Sequence, residues 1–367
     1  MADKTVFIVG AGFSANAGLP LQAEFTELFL KARTFKRGKS RQLMPHLGQF
    51  VEKSFGFNST HDLASYPQLE DIFTLLDLSA NTGHHLGISY SAKHLRMLRR
   101  MLLSRTIRML YSAYLDGKSR ARPERKRLIE FVSRLSADRH QFVSLNWDVV
   151  LEGCLEELGT TITPFYGPEI CPGVIENDEL DLPKRKAAAK QMLVAKMHGS
   201  INWLYCDCCR RTYSVPVSQV SRLGSQVLKS DEVEELYEDK APNRLACPFC
   251  TVDLGVSLAT FSFQKALRAP MFESSWLEAE KALRRARRWV FIGYSLPPAD
   301  FEFEYLLKRV QLARQESPEI IVVTKADNPE NSPAILSYRK FFGEEGFSVF
   351  SKGFTSASID KIVDPTV

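Results

Sequence analysis

Thr5-Val-Phe-Ile-Val-Gly-Ala-Gly-Phe-Ser-Ala-Asn-Ala-Gly18 opens with five β-prone residues and runs directly into a glycine turn. Thr5 to Val9 shows no polar alternation, the pattern of a strand buried on both faces of a parallel sheet. Glycines at 10 and 12 let the chain turn sharply at the end of that strand. Backbone N–H groups there can approach a phosphate closely. Glycine turns also occur for packing alone, so both readings stand for this loop. The third glycine of the dehydrogenase fingerprint is displaced to Gly18, which argues against ordinary hydride transfer.

Further apolar β runs follow at Gln141–Leu145, Met192–Met197, Trp289–Ile292 and Ile320–Val323. Between the first strand and the second, Leu, Phe, Lys and Arg recur at helical spacing. Leu69, Ile72, Phe73 and Leu76 share one helical face, and His94 to Tyr114 forms a second long amphipathic stretch. Trp276 to Arg288 is also helical in pattern. Strands alternating with helices predict an α/β fold with a Rossmann-like parallel sheet and a large helical insertion, to which clustered cysteines between 206 and 250 add a small zinc module. The expected divisions are a discontinuous core of 1–20, 140–205 and 251–367, an insertion over 21–139, and a module over 206–250.

The 367 residues are 44% hydrophobic and 25% charged, ordinary for a globular chain of one large or two smaller domains. A net charge of +5 is too mild to indicate nucleic-acid binding. Basic clusters at Lys36–Arg41, Lys93–Arg108, Arg120–Arg127, Lys184–Lys190 and Arg284–Arg288 read as solvated helix faces, with contact to nucleic acid or an acidic partner as the alternatives. No apolar run reaches the roughly 18 residues of a membrane span. With no targeting segment read at the start, a cytoplasmic protein is expected.

Four further motifs carry chemistry. Ser144-Leu-Asn-Trp-Asp148 lies at a strand's C-terminal end, where α/β proteins hold ligands. Asn146 can donate and accept hydrogen bonds, or simply cap the strand. Lys196-Met-His-Gly-Ser200 also follows a strand. His198 is either a structural histidine or a general base made accessible by Gly199. Cys206-Asp-Cys-Cys209 and Cys247-Pro-Phe-Cys250 provide two C-x-x-C pairs, the thiolate set of a closed, structural Zn²⁺ site. Cys208 is then a spare thiol. Phe291-Ile-Gly-Tyr-Ser-Leu-Pro-Pro-Ala-Asp300 ends another strand; Ser295 either meets a phosphate or ribose hydroxyl or caps the turn.

Taken in order, these motifs resemble the sirtuin superfamily. GAGFSANAGLP is similar to its NAD-binding loop, LNWD to its N-x-D segment, HGS to its catalytic histidine segment, the cysteine pairs to its zinc module, and IGYSLP to its later nucleotide-contacting turn. The resemblance implies Gly10, Ala11, Gly12, Phe13 and Ser14 at the phosphates, with Gly293 and Ser295 near the adenosine half. It implies Asn146 and Asp148 around the nicotinamide and a water, and Asn146 with His198 as the catalytic pair. It covers about two thirds of the chain, with 21–139 largely outside it.

The departures are informative. Pro20 is followed by Leu21-Gln-Ala-Glu-Phe25 in place of the deacylase Asp-Phe-Arg. The peptide-gripping segment is replaced by Gly255–Phe263. The insertion, Leu69-Glu-Asp-Ile72 and the extended Tyr294–Asp300 turn are similar to bacterial sirtuin-domain anti-phage effectors. That resemblance implies an NAD⁺ hydrolase producing nicotinamide and ADP-ribose. It also implies self-assembly or a separately encoded partner such as a HerA-type ATPase or a short Argonaute. A protein-lysine deacylase and a non-catalytic NAD or ADP-ribose-binding subunit are the competing readings.

Overall fold

Seven parallel strands form one sheet in the order β13-β12-β11-β1-β2-β7-β3. The strands are β1 (Thr5–Val9), β2 (His140–Ser144), β3 (Ile162–Phe165), β7 (Lys190–Lys196), β11 (Arg288–Ile292), β12 (Glu319–Val323) and β13 (Ser348–Phe350). The computed structural model describes residues 4–30, 40–56, 67–120, 122–159, 162–183, 190–224, 226, 245–258 and 270–363. The α/β class expected from the strand runs is what the chain adopts.

Strand parity explains why the central strands are apolar throughout. Phe7, Val9, Phe142, Val194, Val290 and Ile292 join one core, while Val6, Ile8, Val143, Ala195, Trp289 and Phe291 join the other. All five residues of β1 are buried. Each buried Val, Ile or Phe among them contributes about 1.5–3 kcal/mol on leaving water. The first core lies beneath the helices Leu69–Thr82, Ala92–Ser119, Pro123–Ser133, Val150–Glu157 and Ser356–Val363. The second is covered by Pro270–Arg285, Phe301–Leu312 and Pro333–Phe342.

The helices expected after residue 20 are present at Gln22–Leu30, Ser40–Phe55, Leu69–Thr82 and Ala92–Ser119. The last runs for 28 residues and starts where the Ser91 hydroxyl accepts the His94 N–H at 3.3 Å. Its final turn meets the glycine loop. A Cβ on Gly117 would stand 1.8 Å from the Ala17 carbonyl oxygen, so only glycine allows this approach. The helical pattern over Trp276–Arg288 differs at its end. The helix stops at Arg285, and Arg288 begins β11 with its guanidinium donating to Glu319.

A second sheet has the order β10-β8-β9-β4, with β4 (Ile170–Pro172), β8 (Gly199–Tyr205), β9 (Thr212–Ser214) and β10 (Gly255–Leu258). Its apolar side packs around Leu204, Tyr213, Val215, Leu254, Cys206 and Cys247. The cysteine pairs therefore sit on a small sheet of their own. Within the replaced peptide-gripping segment, 259–263 lies outside the described residues, as do 36–39 and 184–189 of the basic clusters.

Candidate active site

The strand order places β1 between β2 and β11, so connections leave the sheet in opposite directions on either side of it. Crevices at such reversals, beyond the strands' C-terminal ends, are where open α/β sheets hold ligands. Here a cleft of about 840 Å³ opens at that position. This is within the range of about 300–1,000 Å³ for small-molecule sites. Its walls include Gly10, Ala11, Gly12 and Ser14 after β1, Asn146 and Asp148 after β2, and His198 after β7. Gly293, Ser295 and Asp300 follow β11.

Phe13 is the exception among the loop residues expected at a ligand. Its ring turns into the core, 6.4 Å from Phe131 and 6.0 Å from Phe354, centroid to centroid. Its N–H donates to the Gly10 carbonyl at 3.0 Å. An aromatic ring beside an amphipathic insertion buries more apolar area there than in a polar cleft, and nothing in the motif itself distinguishes the two fates.

The packing reading of the glycines has direct support in the loop contacts. The Gly12 N–H donates to the Gly293 carbonyl at 2.8 Å, and the Gly10 N–H donates to Ile292 at 3.1 Å. A Cβ on Gly12 would lie 2.8 Å from the Gly293 Cα, and one on Gly10 would lie 2.7 Å from the Gly293 oxygen. Gly293 has φ +59°, and its own Cβ would meet the Gly12 carbonyl carbon at 2.3 Å. The two loops thus pack backbone against backbone. A side chain at Gly12 would meet the Gly293 backbone.

Asn146 is half-buried and bridges β2 to the glycine loop. Its Nδ2 donates to the Gly10 carbonyl at 2.8 Å and to Ser14 Oγ at 3.0 Å. A carbonyl oxygen can only accept, so this geometry fixes the amide's orientation. The Asn146 Oδ1 is consequently the atom left to accept from a ligand or water. Asp148 is buried, and its Oδ1 accepts the Val150 N–H at 2.9 Å, fixing the start of the helix Val150–Glu157. Beneath it, Lys196 Nζ donates to the Asp148 carbonyl at 2.5 Å and pairs with Glu152 at 3.0 Å; both side chains are 1% exposed. Burial pushes the Glu152 carboxyl up, and the neighbouring Lys196 charge opposes that shift.

His198 is 5% exposed and follows β7 through Met197, whose N–H donates to the Ser144 carbonyl at 2.9 Å. The Met197 carbonyl accepts from Trp276 Nε1 at 3.1 Å, and Gly199 at φ +76° turns the chain into β8. The ring's Nδ1 lies 3.2 Å from the Leu145 carbonyl. As that oxygen can only accept, Nδ1 carries the hydrogen and Nε2 is the basic nitrogen. On Nε2's side stands Asp300, with Oδ1 3.8 Å away. The sequence Pro297-Pro-Ala-Asp300 reads as a turn, and nothing in it marks Asp300 as a cleft residue. Ser295 is exposed on the cleft rim, beside Leu296 at φ +52°.

The four Sγ atoms of Cys206, Cys209, Cys247 and Cys250 lie within 4.8 Å of one another. Cys206 and Cys250 are 3.3 Å apart, and Cys209 and Cys247 are 3.6 Å apart. Thiolates at tetrahedral corners about 2.3 Å from a zinc ion stand about 3.8 Å apart. The donor set and spacing therefore fit Zn²⁺. Tyr213 Oη lies 3.1 Å from Cys247 Sγ, able to donate to a thiolate there. Cys208 is exposed and outside this group.

A family model described as the SIR2-like domain matches residues 140–342, more than half of the chain. This chain is a SIR2-like protein. The match contains Asn146, His198, all four clustered cysteines and Gly293. No curated relative matches the chain. Among solved structures, a Sir2 enzyme from work on Sir2 mechanism and regulation is 14% identical, covers 99% of this chain and 92% of its own, and has a TM-score of 0.40. A sirtuin from work on substrate affinity is 12% identical, covers 99% and 94%, and reaches 0.42. A Sir2 structure with a p53 peptide and NAD⁺ is 13% identical, covers 94% and 93%, and reaches 0.36.

Proposed function

We propose that this SIR2-like chain is an NAD⁺ hydrolase that cleaves the nicotinamide–ribose bond. The observation that carries this reading is that Asn146 and His198 line one cleft, with hydrogen bonds that orient the Asn146 amide and make Nε2 the basic nitrogen of His198. An oriented amide and a basic ring nitrogen on one cleft suit the holding and deprotonation of a water. Gly10, Ala11, Gly12 and Ser14 form the wall for the diphosphate. Gly293 and Ser295 serve the adenosine half, and Asp148 the nicotinamide end.

In the reaction, the water O–H proton passes to His198 Nε2. The oxygen's electron pair forms the bond to C1′. The C1′–N pair leaves with nicotinamide, which becomes neutral. Nicotinamide, ADP-ribose and one proton result. Zn²⁺ held by Cys206, Cys209, Cys247 and Cys250 has a structural role, since four thiolates leave no coordination position open.

We read the long helices before β2 as an effector lobe that docks a second copy or a separate subunit, a HerA-type ATPase or short Argonaute, in anti-phage defence. The amphipathic insertion and the altered Leu21–Phe25 segment support that reading. Incubating the protein with NAD⁺, with and without an acetylated peptide, tests the activity. Peptide-independent release of nicotinamide and ADP-ribose is expected. Strict peptide dependence with an O-acyl product would establish a deacylase instead.

A further inference from the structure

Asp300 is 5% exposed and ends the 3₁₀ turn Pro298–Asp300, at the N-cap of the helix Phe301–Leu312. An aspartate at an N-cap ordinarily turns its carboxylate onto the first helical N–H groups. This one makes no such cap bond. Its Oδ2 instead accepts from Tyr294 Oη at 2.8 Å, and its Oδ1 stands 3.8 Å from His198 Nε2. Tyr294 is itself fixed. Its carbonyl accepts from Tyr338 Oη at 2.9 Å, and its ring meets Phe303 edge-on at 5.9 Å. Burial and the adjacent Asp300 charge hold the Tyr294 hydroxyl far above its ordinary range, so it remains a donor.

We infer that Asp300, oriented by Tyr294, is a positioning residue for His198 that stabilises the imidazolium formed when Nε2 takes its proton. The inference rests on the hydrolase reading for its kinetic consequence, but the electrostatic pair stands on geometry alone. With Nδ1–H bound to the Leu145 carbonyl, protonation adds its hydrogen at Nε2, on the Asp300 side. A carboxylate within about 4–6 Å favours the charged form of its neighbour. The ring passes its proton to solvent after nicotinamide leaves, so Asp300 ends each turnover unchanged. Among the described residues, the other charged side chains on the cleft are Glu70, Glu124, Arg127, Asp148, Lys325 and Lys352.

The test leaves those six in place and changes the pair. Asp300→Asn keeps an acceptor for Tyr294 and removes the charge; Tyr294→Phe keeps the charge and frees the carboxylate. Nicotinamide release is measured with and without acetylated peptide. Asp300→Asn is expected to lower kcat at least tenfold with KM within about twofold, and to cause no further loss in a His198→Ala background. Tyr294→Phe is expected to lower kcat less. Independently of substrate, the ¹³Cε1 signal of His198, assigned by its loss in His198→Ala, is titrated in the parent and in Asp300→Asn. Proton affinity is expected to fall at least tenfold.

An unchanged titration overturns the inference, as does an unchanged kcat or an equal loss in both backgrounds. If the parent releases no nicotinamide under either condition, the hydrolase reading fails. The titration then decides the pair by itself. If Asp300→Asn does not fold, the same titration and kinetics on Tyr294→Phe decide it, with no change in either overturning the inference.

Discussion

Asn146 donates to the Gly10 carbonyl at 2.8 Å, linking the loop after β2 to the loop after β1. The same amide that offers Oδ1 to the cleft therefore holds the cleft's wall in shape. Asn146→Ala is expected to abolish NAD⁺ cleavage and also to weaken NAD⁺ binding. Leaving the Gly10 carbonyl and Ser14 hydroxyl without this donor should cost about 1–3 kcal/mol of stability. Turnover, calorimetric binding and thermal melts on one preparation check all three effects.

His198→Ala separates chemistry from architecture. Its ring bonds the Leu145 carbonyl just beyond β2 and belongs to neither apolar cluster of the main sheet, so the fold and NAD⁺ affinity should persist. Loss of the base should reduce turnover by roughly 10²–10⁴. A variant turning over at the parent rate would remove His198 from the mechanism.

At Gly12, valine is expected to act through the protein before it acts through the ligand. Its Cβ would lie 2.8 Å from the Gly293 Cα. Overpacking of this kind costs about 1–3 kcal/mol or more. A lowered melting temperature with loss of NAD⁺ binding is the expected result. A fully stable Gly12→Val that merely fails to bind would point instead to crowding of the diphosphate.

Cys247→Ser and Cys250→Ser should each lower the metal content below one zinc per chain. Solubility and stability should fall with it, because binding a structural zinc is part of the folding free energy. Elemental analysis beside thermal melts, before and after chelation, measures this. Cys208→Ser, outside the four-sulfur group, should leave zinc content at the parent level.

The buried Lys196–Glu152 pair supports the Asp148 carbonyl from below. Lys196→Met leaves the buried Glu152 carboxyl without its counter-charge, a change that costs about 3–5 kcal/mol. Lys196→Met with Glu152→Leu removes both charges and should recover much of that loss. Denaturant unfolding of the two variants provides the comparison.

The sheet's central strands were legible because parallel strands buried on both faces leave unbroken apolar runs, as in β1 and β12. The strands β3 and β13 were not read. Ile162-Thr-Pro-Phe165 and Ser348-Val-Phe350 are short and only partly buried, so no such run marks them. Nor was β8 anticipated, since its Asn202 and Ser200 break an apolar pattern although every residue in it is buried. Asn146, Asp148, His198, Gly293 and Ser295 meet at one cleft as their strand-end positions imply. Asp300 required coordinates. Its role depends on facing His198 across a gap of 102 positions in the chain, and local sequence carries no trace of that contact.

The backbone contact among Gly10, Gly12 and Gly293 also limits how such a chain can diverge. Main-chain atoms stand within 2.8 Å of the added carbon at all three positions, so no side-chain replacement elsewhere can create room for a methyl group. Lineages drifting from a common ancestor would have to retain these glycines together, whether or not they kept the chemistry of the cleft. Their persistence in a descendant would accordingly be a record of shared architecture, and the residues at 146, 198 and 300 would be the better record of shared activity.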